Sequence, residues 1–251
     1  MSAFDPYFEL LRRYQSDLQS KGRTLHSSWV DSSGSEGGRP GLNTSEVILK
    51  ENTAVELGGP RTVSSSFSLW TENISLLNSG RITLAGPDIP DIGRELIPFG
   101  RVVLVAGREL SDSIQPKLDS KLAAAEQLFG YMVRSTGGNI WARVSHEALE
   151  DAFSLYKLGA NIVNHLRTAI PTVEAIEVLF VTSSDEDVTE LERIGAQVRK
   201  LSHDLRRRRI KDLGGGEYEC EKDISCEACP ENDGCSEIRQ VLRLQKKKVS
   251  Q

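Results

Sequence analysis

Four cysteines, Cys220, Cys226, Cys229 and Cys235, are the only ones in the 251 residues, and all lie in the stretch CEKDISCEACPENDGC. Their spacing is C-x5-C-x2-C-x5-C. The central Cys226–Cys229 pair lets two thiolates chelate one metal from a tight turn. Cys220 and Cys235 are near enough along the chain to complete a set of four sulfurs. Thiolates select zinc or iron–sulfur clusters, so a 4Fe–4S cubane and a structural zinc both stand open, with redox or disulfide chemistry as a third reading. Pro230 directly after Cys229 fixes the departure of the chain, a common arrangement near iron–sulfur ligands. Eight carboxylates fall between Glu217 and Glu237, with Lys222 the only base among them. That charge would lower the reduction potential of a cluster, or would simply keep a short metal loop solvated.

The remaining polar residues make a weaker case. His165 and His203 lie on helical stretches without a cysteine or carboxylate constellation, and His146 is read as an exposed helix-start residue. Arg206–Arg209 suit either a phosphate of coenzyme A or an acidic partner face, and equally a solvated helix end. Trp70 and Trp141 are read as core or half-buried strand residues. The glycine turns GREL (107–110) and GGNI (137–140) are weak as phosphate signals.

The bulk composition narrows the setting. A hydrophobic share of 38% suffices for one cored domain with appendages. A net charge of −5 argues against a nucleic-acid partner. No apolar run has the length of a membrane span, and MSAFDPYFELLRRYQ lacks the pattern of a signal peptide. The expectation is a cytoplasmic protein with no membrane partner, in a reducing compartment where clustered thiols favour metal over disulfide.

The elements that must carry these residues follow from periodicity. Residues 1–20 contain an amphipathic helix with Phe8, Leu11, Tyr14 and Leu18 on one face, which would dock on the body or on a partner. Residues 21–46, rich in Ser and Gly, read as a flexible linker. From 47 to 205 strand and helix signals alternate. Strands are expected in TVSSSFSLW, GRITLAG, RVVLVAG, NIWARVS and AIEVLFVTS. A long helix is expected over 111–133, with Leu118, Leu122, Ala125 and Phe129 as its stripe. Ser145 would cap a helix over 146–159, and an Asp-rich first turn opens another at 185. The fold class is therefore α/β: a layered domain with a mixed sheet and flanking helices, followed by a small four-cysteine metal-binding segment over 206–251. The three glycines at 214–216 mark the hinge, and SEIRQVLRLQKKKVSQ ends the chain as a short helix.

Five stretches, in order, carry a resemblance: VELGGP (55–60), GRITLAGPDI (80–89), GYMVRSTGGNIWARVSHEAL (130–149), AFSLYKLG (152–159) and EVLFVTSSDEDVTEL (177–191). Together they resemble the acetyl-CoA synthase (beta) subunit of the carbon monoxide dehydrogenase/acetyl-CoA synthase complex over roughly residues 54–220. None is a catalytic motif by itself. The resemblance implies a 4Fe–4S cubane held by cysteines and bridged to two nickels. There methyl from a corrinoid protein and CO combine, and the acetyl group passes to coenzyme A. Tyr218-Glu219-Cys220 fits the family's tyrosine–cysteine, but Asp223 stands where the next cysteine is expected. No Cys-Gly-Cys occurs in the sequence, and the chain stops sixteen residues after Cys235, short of the nickel-bearing domain. The expectation is a cubane on Cys220, Cys226, Cys229 and Cys235, with zinc as the alternative and no nickel in this chain alone. Catalysis is left open: acetyl transfer would need another subunit to supply nickel. The partners expected are other subunits of such a complex or of a redox complex, with corrinoid protein and coenzyme A as candidates. The alternative is a non-catalytic electron-transfer or scaffold subunit.

Overall fold

The computed structural model describes residues 2–30, 47–92, 96–111 and 114–212, with side chains described as far as residue 205. Met1–Leu201 form one compact unit, which carries both sheets, and Ser202–Gln251 form a second.

The chain opens with α1 (Asp5–Ser20), whose Phe8, Leu11, Tyr14 and Leu18 are buried, as their helical spacing predicts. Pro6 in the first turn costs the helix nothing, because its missing N–H would have had no helical partner there. The helix docks on the body: the Tyr14 hydroxyl donates to the Asp187 carbonyl oxygen at 2.9 Å, and Thr71 Oγ1 donates to Asp5 at 2.7 Å. Next comes β1 (Leu25–Trp29), where the sequence suggests the start of a linker. It pairs antiparallel with β4 (Arg81–Ala85) at the edge of a sheet, so four of its five side chains face solvent. An edge strand with solvated side chains carries no apolar run, which is why its composition mimics a linker. The rest of that expected linker, 31–46, lies outside the described residues.

Two mixed sheets are built on this start. The larger joins β1, β4, β9 (Ala175–Val181), β6 (Phe99–Ala106) and β3 (Ser64–Thr71) in that order, with β4–β9 and β6–β3 parallel and the other pairs antiparallel. The smaller joins β5 (Leu96–Ile97), β2 (Thr53–Gly58), β8 (Asn139–Ser145) and β7 (Tyr131–Thr136). Every residue of β3, β6 and β9 is buried; β6 and β9 are largely apolar runs, whereas β3 buries Ser64, Ser65, Ser66, Ser68 and Thr71 as well. The sheets touch where Ser66 N–H donates to the Gly138 carbonyl at 2.7 Å and Ile140 N–H to Ser64 Oγ at 3.2 Å.

Helices cover both faces of the larger sheet. On one, α2 (Ile114–Ala125) and α4 (Leu155–Ala169) pack together over β3, β4 and β9. On the other, α5 (Asp185–Asp212) brings Leu191 against Gly100 and Gly195 against the Phe67 ring. In the core Phe99 and Phe180, on neighbouring strands, stack with centroids 6.0 Å apart.

Two expected helices are shorter than their patterns. The helix predicted over 111–133 ends at Ala125. Gly130, at φ +63°, then turns the chain, so Tyr131, Met132 and Val133 belong to β7. Leu118, Leu122 and Ala125 form the buried stripe, while Phe129 sits half-buried in the turn. The helix predicted over 146–159 is two helices. Ser145 caps α3 (His146–Glu150), accepting from Ala148 N–H at 3.1 Å. Ala152 at φ +54° breaks it, and Ser154 caps the start of α4.

Candidate functional site

Two of the family-like motifs, VELGGP and GYMVRSTGGNIWARVSHEAL, meet in a cluster around Glu56. In β2 this carboxylate lies directly opposite Arg143 of β8, and Trp141 precedes Arg143 by two residues on the same strand face. Glu56 is 6% exposed. Its Oε1 accepts the Trp141 indole N–H at 2.9 Å, and its Oε2 lies 3.0 Å from Arg61 Nη2 and 3.9 Å from Arg143 Nε. The Arg143 guanidinium also sits 4.7 Å from the Trp141 ring centroid and donates through Nη1 to the Ile48 carbonyl at 2.8 Å. A buried carboxylate is tolerated only when its oxygens are paired, and here both are.

The two glycines of VELGGP follow from this geometry. Gly58 and Gly59 have φ +64° and +89°, and a Cβ on Gly59 would lie 2.4 Å from Trp141 Cδ1. No side chain fits between that turn and the indole. The turn lets Arg61 fold back onto Glu56, five residues behind it.

The other motifs interlock in the same way. Asp88 Oδ1 accepts from both Ile89 N–H and Leu155 N–H at 2.7 Å, tying GRITLAGPDI to AFSLYKLG. Thr182 Oγ1 donates to the Pro87 carbonyl at 2.8 Å, and Arg81 Nη2 meets Glu177 Oε2 at 2.7 Å, tying the same segment to β9. At the start of α5, Asp187 is fully buried. It accepts from Ser183 Oγ at 2.6 Å and pairs with Arg23 Nε at 2.8 Å. Burial alone would raise its carboxyl, but the hydrogen bonds from Ser183 and Ser184 and the charge of Arg23 outweigh it and hold it below the usual range.

These groups position; they do not present a free acid or base. Both oxygens of Glu56 are engaged, and Asp187 is enclosed. What the cluster presents is the Trp141 ring, half-buried and clamped at its nitrogen and on one face.

The sequence-derived candidates fare differently. Cys220, Cys226, Cys229 and Cys235 lie outside the described residues, as do the side chains of Arg206–Arg209. The donor chemistry of four thiolates within sixteen residues fits a cubane and fits zinc. Among the described residues no group of three or more His, Cys, Asp or Glu could hold a metal. His146 is exposed at the first position of α3, and His203 is exposed beside Asp204 at 3.8 Å. His165 Nε2 is buried without a hydrogen-bond partner among the described residues. Trp70 is buried and Trp141 half-buried, matching the strand reading. Glu56, Arg61 and Arg143 are not singled out by sequence reasoning. For Glu56 the signal is a charge buried in β2; Arg143 lies on the half-exposed phase of β8 and Arg61 in the turn after β2, so their part becomes legible only once the strands are paired. No helix among the described residues is long and apolar enough to cross a membrane.

Comparison with known proteins places this scaffold. The family described as the CO dehydrogenase/acetyl-CoA synthase complex beta subunit matches residues 42–188, more than half of the chain. The acetyl-CoA decarbonylase/synthase complex subunit beta of Methanothermobacter thermautotrophicus is 27% identical over 173 residues, which are 68% of this chain and 36% of the relative. Subunit beta 2 of Methanosarcina thermophila is 25% identical over 174 residues, 67% of this chain and 35% of the relative. Subunit beta 1 of Methanosarcina mazei is 24% identical over 153 residues, covering 59% and 32%. The chain thus spans about a third of the length of the relatives it matches. Glu56, Trp141 and Arg143 all fall inside the matched segment, and the chain belongs to the CO dehydrogenase/acetyl-CoA synthase complex beta subunit family.

Proposed function

We propose that this chain is an iron–sulfur subunit of acetyl-CoA synthase type in anaerobic one-carbon and acyl-CoA metabolism. It works in the cytoplasm alongside other subunits of a complex. The observation that carries the reading is a family scaffold over 42–188 followed by a four-thiolate set in the same chain. Cys220, Cys226, Cys229 and Cys235 would hold a 4Fe–4S cluster, which supplies one-electron chemistry when bound. The chain's own residues supply a rigid support. Glu56 fixes the Trp141 ring, Asp88 ties the loop after β4 to the start of α4, and Thr182 and Asp187 lock the passage from β9 into α5.

Acetyl transfer to coenzyme A, with methyl donated by a corrinoid protein, would require a nickel site that these residues do not supply, because the sequence contains no Cys-Gly-Cys. That same feature favours a second reading, an electron-transfer or scaffold subunit holding iron–sulfur or zinc. The apolar face of α1 is buried on the body, so a free docking helix does not support that alternative.

Anaerobic purification followed by iron, sulfide, zinc and nickel analysis is the first test. Acetyl-CoA formation from methyl-corrinoid, CO and coenzyme A, with and without a nickel-bearing subunit, is the second. Iron and sulfide without nickel are expected, and acetyl-CoA only with the added subunit. Acetyl-CoA made by this chain alone would overturn the division of labour. Iron and sulfide with no acetyl-CoA under either condition would favour the electron-transfer reading.

A further inference from the structure

Between α1 and the β1–β4 edge of the larger sheet lies a groove of about 290 Å³ that shares Arg81 with the motif ties described above but includes no residue of the Glu56 cluster. Its wall is the outer side of α1, with Arg12, Gln15 and Gln19. Its floor is Ser27 and Thr83 on adjacent strands, with Arg81 at one end. Among the described residues, Arg12 and Arg81 are the only charged ones lining it; no carboxylate does. Both guanidiniums are steadied from behind. Arg12 Nη2 donates to the Leu76 carbonyl oxygen. Arg81 gives Nε and Nη2 to Glu177 Oε2 at 3.2 and 2.7 Å. The Glu177 carboxylate offsets the charge of Arg81, so the net positive charge at the groove comes from Arg12. The Ser27 and Thr83 hydroxyls, 3.2 Å apart, and the two glutamine amides supply hydrogen-bonding groups of both kinds.

We propose that this groove binds a small oxyanion, a phosphate ester or a carboxylate on a hydroxylated skeleton, between Arg12 and Arg81. Guanidiniums held in place lose little freedom on meeting an oxyanion, and the N–H groups that Arg12 and Arg81 do not give to Leu76 and Glu177, those of Arg81 Nη1 among them, can donate to its oxygens. The volume suits a metabolite rather than a nucleotide cofactor, being at the low end for ligand pockets. Six of the nine lining residues precede residue 42, where the family match begins. The groove is therefore a feature of the α1–β1 segment laid on the family scaffold, and it stands independently of the function proposed above.

Calorimetric titration of the full chain at fixed ionic strength tests this, with glycerol 3-phosphate, glycerate and neutral glycerol as probes. Saturable binding of glycerol 3-phosphate alone identifies a phosphate ester, of glycerate alone a carboxylate, and glycerol should not bind. Arg12→Gln, at an exposed helix position, should weaken binding about tenfold or more, as loss of a charge-assisted contact does. Gln19→Glu, which adds a carboxylate to the wall, should weaken it as well. Arg13→Gln, beside Arg12 but outside the lining, should leave the affinity unchanged. Absence of saturable binding of either anion would overturn the proposal. So would equal affinity in Arg12→Gln, or an equal loss in Arg13→Gln, which would mark diffuse attraction rather than a site.

Discussion

Two buried carboxylates in this protein meet arginine in opposite circumstances. Glu56, at the face of the smaller sheet, has an indole N–H and two guanidiniums around it, and one of those, Arg61, is 58% exposed. Glu126, just past the end of α2, pairs with Arg101 of β6, and both side chains are only 4% exposed. Arg101 also donates to Ser66 Oγ at 2.7 Å, yet its Nε and the neighbouring Tyr131 hydroxyl make no hydrogen bond among the described residues. Burial pushes the Arg101 guanidinium down to about 10 and raises the Tyr131 hydroxyl. At the open cluster both carboxylate oxygens accept a hydrogen bond, although Arg143 Nε makes none among the described residues; at the closed pair more polar atoms go without, and each charge depends on the other. A charge at a rim can recruit extra partners and water, whereas one sealed under a helix has only what the fold places there.

That contrast orders the expected losses. Glu126→Gln strands the Arg101 charge, so unfolding in urea should show a loss of about 3–5 kcal/mol, the range for breaking a buried ion pair. A loss below about 1 kcal/mol would mean that the two sites do not differ as described. Glu56→Gln keeps the shape but weakens the contacts with Trp141 and Arg61. About 2–3 kcal/mol is expected, with a shift in indole emission as the Trp141 N–H loses its charged partner. Asp187 gives a pH test. Its folded pKa lies below its unfolded value, so its contribution is present above the unfolded pKa and is lost as pH falls through the folded one. Thermal stability should therefore drop on acidification below about pH 4, and Asp187→Asn should flatten that drop while lowering stability at neutral pH. The smallest effect belongs to Arg61→Gln. Its exposed side chain should cost no more than about 1 kcal/mol, even though it touches the same carboxylate as Trp141.

The sequence made the central strands legible because burial on both faces writes itself as apolar runs, as in RVVLVAG and AIEVLFV. It hid β1, whose edge position leaves LHSSW solvated and linker-like. It also hid the boundary between α2 and β7, because apolar residues continue through the Gly130 turn and periodicity alone does not register a left-handed glycine. At the candidate site the difference is sharper. Cysteines cluster locally and are seen at once. Glu56 and Trp141 are 85 residues apart and become partners only through strand register. Local chemistry is readable from a sequence; a network assembled by pairing is readable only as unexplained charge in an apolar strand.

The most direct test of the iron–sulfur assignment is the metal and sulfide content of the anaerobically purified chain, compared with its Cys226→Ser variant. A cubane on the four thiolates predicts about four irons and four sulfides per chain, lost in the variant, while the body through Leu201 keeps its thermal transition. One zinc per chain with no iron or sulfide would contradict it, and would make the four thiols a structural clasp.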